Sequence, residues 1–138
     1  VAQGAGNTIC GLLGALPMEH VFQEMQRARA LVLPSIWYEG FPRTLVEAFA
    51  CGLPVIASRI GALEELIEHG ITGLLVAPDD AADLAQAMAW AERHPAQMTE
   101  MGLRARQAYR DRFNASRNVA QLMAIYAQAL ESRASAGF

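Results

Sequence analysis

The stretch from Leu31 to Ser58 constrains the fold more than any other part of the chain. It opens on Leu31-Val32-Leu33, an apolar run stopped by Pro34, as expected of a parallel strand covered on both faces. Gly40 and Pro42 break the backbone, and Arg43 to Cys51 then reads as a helix closed by Gly52. Pro54 to Ser58 is a second strand. The loop after the first strand therefore delivers backbone N–H groups at a helix start, beyond a strand's carboxyl end. In open α/β sheets anionic ligands bind there. Two carboxylates, Glu39 and Glu47, frame the loop, and the expectation is a site for a sugar pyrophosphate.

The rest of the chain repeats the alternation. Thr8 to Gly14 reads as a short strand running into a glycine turn, and Pro17 to Arg29 as an amphipathic helix with Val21, Met25 and Ala28 on one face. Ala62 to Glu68 is a short helix, and Gly73 to Pro78 another buried strand. Asp79-Asp80 caps a helix from Ala81 to Arg93, and Pro95 starts the next, which runs to Phe113. Asn114 or Ser116 caps a last helix through Leu130, and 132–138 reads as a frayed, flexible tail. Strands alternating with helices predict an α/β fold with a Rossmann-like parallel sheet flanked by helices.

Bulk properties narrow the function classes. At 138 residues and 53% hydrophobic content the chain is read as one domain with a sizeable core. A formal net charge of -3, with no basic stripe interleaved with aromatics, argues against nucleic acid. All 11 basic residues are arginine, which removes Schiff-base chemistry and lysine phosphate clamps but leaves guanidinium forks. Cys10 and Cys51 lie far apart and are read as reduced buried thiols. His20, His69 and His94 lack ligand spacing, so no metal site is expected. No apolar run is long enough to span a bilayer and no signal-peptide pattern opens the chain, so the cytoplasm is the expected compartment.

Several ordered motifs resemble those of the retaining, GT-B-fold glycosyltransferases of family four, over the C-terminal half of their nucleotide-sugar-binding domain. Glu39 and Glu47 match the E-x7-E element, within Pro34-Ser35, Glu39-Gly40-Phe41-Pro42, Glu47-Ala48 and Gly52-Leu53-Pro54-Val55-Ile56-Ala57-Ser58. Gly61-Ala62-Leu63-Glu64-Glu65 is similar to the family's Gly-Gly-x-Pro-Glu, with the second Gly and the Pro replaced. Gly70-Ile71-Thr72-Gly73-Leu74-Leu75-Val76 and Pro78-Asp79-Asp80 match its turn-strand-turn. Met101-Gly102, Ala105-Arg106, Phe113 and Tyr126 fit its last helices. The resemblance runs from about Ile9 to Leu130.

It implies that Glu47 binds the ribose hydroxyls of the donor nucleotide. The plain alternative is an i,i+4 pair with Arg43. Glu39 is the catalytic-site candidate, touching hydroxyls of the transferred sugar, with a solvated loop acid as its plain alternative. Gly40, Phe41 and Pro42 would cradle that sugar, and the N–H groups of Arg43, Thr44 and Leu45 would take the pyrophosphate. Arg43 adds a guanidinium contact or makes a surface salt bridge. Ser35 is a capping or turn serine or a ligand, and Trp37 and Tyr38 either stack on a base or sugar or pack in the core or at the rim. The family reacts on one face of the sugar with the leaving phosphate assisting, so neither acid is a nucleophile and no metal is implied.

The resemblance also implies parts not found in these residues: the N-terminal acceptor domain, and two donor-domain strands that carry an Arg and Lys phosphate clamp. Those strands would lie between the Ile9–Leu13 strand and Leu31–Leu33. Their loss predicts either a repaired sheet with the first strand re-paired, or a homodimer formed by edge pairing or swapping. The expected function is donor binding by an N-terminally truncated domain that is inactive alone. In the intact enzyme a hexosyl group would pass from a nucleotide sugar to a glycan, lipid or small molecule. Alternatives are a non-catalytic assembly remnant, which would bind no nucleotide, and a GT-B-fold nucleotide-sugar epimerase.

Overall fold

A computed structural model describes residues 2–4, 8–38, 40–113 and 115–135. The sheet that organises them has three parallel strands, β3 (Leu31–Leu33), β4 (Val55–Ser58) and β5 (Gly73–Val76), in that spatial order. Leu31 pairs with Val55 and Val55 with Gly73, so the strands start level. Side chains alternate between the two faces, as the pleat requires. Leu31, Leu33, Val55, Ala57 and Leu75 meet one apolar cluster with Leu45, Phe49 and Leu63. Val32, Ile56, Leu74 and Val76 meet another with Ala91, Met98 and Met101. Coverage on both faces is why these strands read as unbroken apolar runs.

The helices supply that coverage. They are α1 (Met18–Arg27), α2 (Arg43–Cys51), α3 (Gly61–Leu66), α4 (Ala81–Arg93), α5 (Pro95–Ala108) and α6 (Ala115–Ser135), with a π-helical turn over Tyr109–Phe113. α2 buries Leu45, Ala48 and Phe49 completely. It ends in a Schellman motif, in which the Gly52 N–H donates to Phe49 O (3.0 Å) and the Leu53 N–H to Ala48 O (2.9 Å). Gly52 takes the left-handed φ of 73° that this ending needs. α5 crosses at that ending. A Cβ on Gly102 would collide with the Gly52 carbonyl, and the Arg106 stem lies 3.7 Å from where a Cβ on Gly52 would sit. The Asp80 carboxylate accepts from the Asp83 N–H (2.9 Å) and caps α4, and Pro95 opens α5.

The N-terminal expectations need correction. The first strand stops at Cys10 and does not reach Gly14, and Leu12 and Leu13 are exposed. This β2 (Thr8–Cys10) is re-paired, but antiparallel with β1 (Ala2–Gly4) and apart from the parallel sheet. The hairpin satisfies backbone groups that β3 does not reach. The sheet itself is not repaired. Among the described residues β3 has one paired side, and the outward N–H and C=O of Val32 meet no strand.

Smaller differences follow from local chemistry. Pro17 is the N-cap of α1 and Ala28 its C-cap, so Ala28 is exposed and Phe22 takes the core position beside Val21 and Met25. α3 runs over Gly61–Leu66, starting one residue before the expected Ala62 and ending two before Glu68. β5 ends at Val76, where Pro78 halts pairing. α6 continues through Ser135, beyond Leu130, since neither Gly nor Pro interrupts it there. Ser116 lies inside that helix and is no cap, while Asn114 falls outside the described residues.

Candidate functional site

The carboxyl ends of β3 and β4 bring two loops together. Tyr38, on the loop after β3, lies over Gly61 at the start of α3; a Cβ there would stand 3.0 Å from Tyr38 Cδ1. Gly61 has φ +51°, which strains any side chain there, and the exposed Tyr38 ring would have to shift slightly to admit a Cβ. Trp37 and Tyr38 are 75% and 83% exposed, so they are not core packing. A small cavity of about 190 Å³ lies at the same end of the sheet, between Pro34, Ser58, Val76 and Asp79.

Helix α2 starts beside these loops. Pro42 is buried, and its carbonyl accepts from the Leu45 N–H (3.1 Å) and, more weakly, the Val46 N–H (3.4 Å). This corrects one expectation: the Leu45 amide is already bonded within the chain. Arg43 and Thr44 remain as the first-turn donors, since the first amides of a helix have no partner in its ladder. Pro42 offers no side-chain cap, and no acid stands in the first turn. Arg43 is instead the first helical residue, placing a cation at the positive end of the helix dipole. That arrangement suits an anion.

Glu47 stands one turn further on. Its side chain is 22% exposed, and Oε1 lies 3.6 Å from Nη2 of the 81% exposed Arg43. The plain i,i+4 pair is thus present, though on a half-buried acid and at a distance longer than a good charge-assisted bond. Phe41 is exposed, with its ring centroid 6.2 Å from that of Phe113 and tilted by 58°. Gly40 is exposed with open space around it. Glu39 lies outside the described residues.

Cys51, two turns after Arg43, is half-buried. Burial pushes its thiol up and the carboxylate of Glu47 adds to this, while the Arg106 guanidinium pulls the other way. The net shift favours the thiol over the thiolate and lowers its reactivity. The Cys10 side chain is outside the described set.

Sequence reasoning gave no bonding role to three further side chains. His69 Nδ1 accepts from the Leu75 N–H (2.9 Å), and Asp83 Oδ2 from the Ala77 N–H (2.7 Å). Together they occupy outward amides along the free edge of β5. Thr72, buried, accepts from the Glu68 N–H through Oγ1 (3.0 Å). The sequence signal was faint: a His before Gly70 and an acid in the first turn of α4. A larger cavity, about 890 Å³, lies along that β5 edge and shares no residue with the Arg43–Glu47 segment.

Residues 5–108 match the family described as Glycosyl transferases group 1. The chain belongs to the group 1 glycosyltransferases. It is 40% identical over 105 residues to the D-rhamnosyltransferase WbpZ of Pseudomonas aeruginosa, an alignment covering 75% of this chain and 28% of WbpZ. Among solved structures, the sucrose-phosphate synthase of Thermosynechococcus elongatus superposes with a TM-score of 0.80 at 34% identity, over 87% of this chain and 30% of the synthase. HepE of Anabaena, solved with UDP-glucose, superposes with a TM-score of 0.68 at 29% identity, over 80% of this chain and 29% of HepE. The group 1 glycosyltransferase chain thus has the fold of the C-terminal part of a GT-B enzyme, and it spans less than a third of the length of these relatives. No helix among the described residues is long and apolar enough to cross a membrane.

Proposed function

We propose that this chain holds the nucleoside-diphosphate sugar of a retaining hexosyl transfer, with α2 as its anchor. The observation that carries this reading is the start of α2. It has no side-chain cap, presents the Arg43 and Thr44 amides, has Arg43 beside them, and carries Glu47 one turn later. The amides receive the pyrophosphate, with the guanidinium of Arg43 turning from Glu47 toward the added negative charge. Glu47 then accepts from the ribose hydroxyls, a charge-assisted contact worth roughly 1.5–3 kcal/mol against about 0.2–0.5 kcal/mol for its surface pair. Gly40, Phe41 and Pro42 border the sugar, and Glu39 accepts from its hydroxyls. UDP-glucose in the HepE structure supports the ligand class.

In the transfer the bond from the anomeric carbon to the leaving phosphate oxygen breaks. A bond to the acceptor oxygen forms on the same face, and the acceptor proton passes to the departing phosphate. Stabilisation of that phosphate by fixed dipoles and a guanidinium calls for no protein nucleophile and no metal. The chain spans less than a third of the length of its transferase relatives, so no turnover is expected of the 138 residues alone. The open side of β3 supports pairing with one more strand, supplied by a second copy or by additional polypeptide.

Calorimetry with UDP, GDP and ADP tests this. Binding to one of them, lost in Glu47→Ala, is expected. No heat with any of the three at millimolar concentration would favour the remnant reading.

A further inference from the structure

We propose that the cleft along the free edge of β5 is a second saccharide site, taking a short neutral oligosaccharide against Trp90. This rests on the transferase reading, which makes a glycan the relevant ligand. The cavity of about 890 Å³ between β5, α4 and α5 has the size of a small-molecule site. Its apolar side is formed by buried Leu74, Val76 and Met101 with the half-buried Trp90. The indole is held by a parallel stack on His94, with centroids 4.3 Å apart and planes 15° apart, and His94 Nδ1 lies 2.7 Å from the Trp90 carbonyl oxygen.

Two observations narrow the occupant. An added peptide strand would need the outward amides of β5, yet Leu75 and Ala77 already donate to His69 and Asp83. Phosphate or a cation would need a net field, yet the charges cancel. Glu100 Oε1 pairs with Arg104 Nε at 2.9 Å, and Asp83 offsets Arg93, whose Nε donates to the Ala89 carbonyl at 3.1 Å. What remains is an aromatic surface bordered by the exposed carboxamides of Gln86 and Gln97, each both donor and acceptor. A pyranose fits that chemistry, with an apolar ring face for the indole and hydroxyls for the amides. The volume exceeds one ring, which points to a short chain of sugars.

The test is a titration of the 15N-labelled protein with three neutral trisaccharides, of α-glucose, α-mannose and β-N-acetylglucosamine. At least one should shift the Trp90 indole N–H and the Gln86 and Gln97 carboxamide signals, saturating with a Kd of about 1–10 mM. Trp90→Ala should weaken it about fivefold or more without changing UDP binding. Because Trp90 also packs against the core, the doubly substituted Gln86→Ala, Gln97→Ala protein, altered only at exposed positions, should show the same loss. Silence toward all three trisaccharides, shifts that survive both variants, or a stronger response to inorganic phosphate would each overturn the proposal. UDP binding without trisaccharide binding counts against this cleft alone. Trisaccharide binding without UDP binding counts against the donor reading alone.

Discussion

Arg43 sits where a helix least favours a cation, at the amide end of α2, and among the described residues it pairs with Glu47 at 3.6 Å. On the proposed reading, the donor's pyrophosphate would resolve that conflict by taking both the amides and the guanidinium. Removing Glu47 should therefore cost little in the free protein. Glu47→Ala is expected to change unfolding free energy by no more than about 0.5 kcal/mol in urea titration while nucleotide binding is lost, because the pair it breaks is half exposed. A loss of several kcal/mol would make Glu47 structural. Cys51, on the same helix, offers a second check. Its raised thiol should alkylate with iodoacetamide more slowly at neutral pH than free cysteine. The sign for stability follows: nothing is lost below the ordinary thiol value, about 8.5, and stability falls as pH rises through the raised value, since the unfolded chain ionises first.

At the scale of elements, the contact between α5 and the end of α2 holds the site helix in place. Gly102 meets the Gly52 carbonyl so closely that any Cβ collides with backbone, which no rotamer change relieves. Gly102→Ala should lower stability by about 1–3 kcal/mol in thermal or urea unfolding and loosen α2 with it. An unchanged melting temperature would mean that α5 shifts freely. The edge of β5 yields a milder prediction. Asp83→Ala removes the partner of the Ala77 amide and should cost about 1 kcal/mol, with faster hydrogen exchange at Ala77. These elements also show what was readable beforehand. Leu31-Val32-Leu33, the Gly52 ending, the Asp80 cap and Pro95 each carry a local signal, and each appears where that signal placed it. The extent of β2 and the close approach of Gly102 depend on which elements meet across the fold. Nothing local reports that. The Leu45 amide was misjudged because a carbonyl as close as that of Pro42 closes the turn before a ligand can.

For the whole molecule, the two sheet edges differ. Side chains occupy the outward amides of Leu75 in β5 and of Ala77 just past its end, whereas β3 presents Val32 with no strand beside it among the described residues. An uncovered edge between apolar faces tends to recruit a strand. The 138-residue chain should sediment as a dimer or larger species at micromolar concentration, and replacing Val32 by proline, which removes the outward N–H, should return it to monomer. A monomer at all concentrations would count against edge pairing.

The central claim is that the first turn of α2 receives a nucleoside diphosphate. The most direct measurement is the backbone amide spectrum of the 15N-labelled protein as UDP, and separately uridine, is added. The Arg43 and Thr44 amide signals should move and saturate with UDP and stay fixed with uridine, which lacks the phosphates. UDP binding that leaves both amides unmoved would contradict the account, as would the absence of any nucleotide binding.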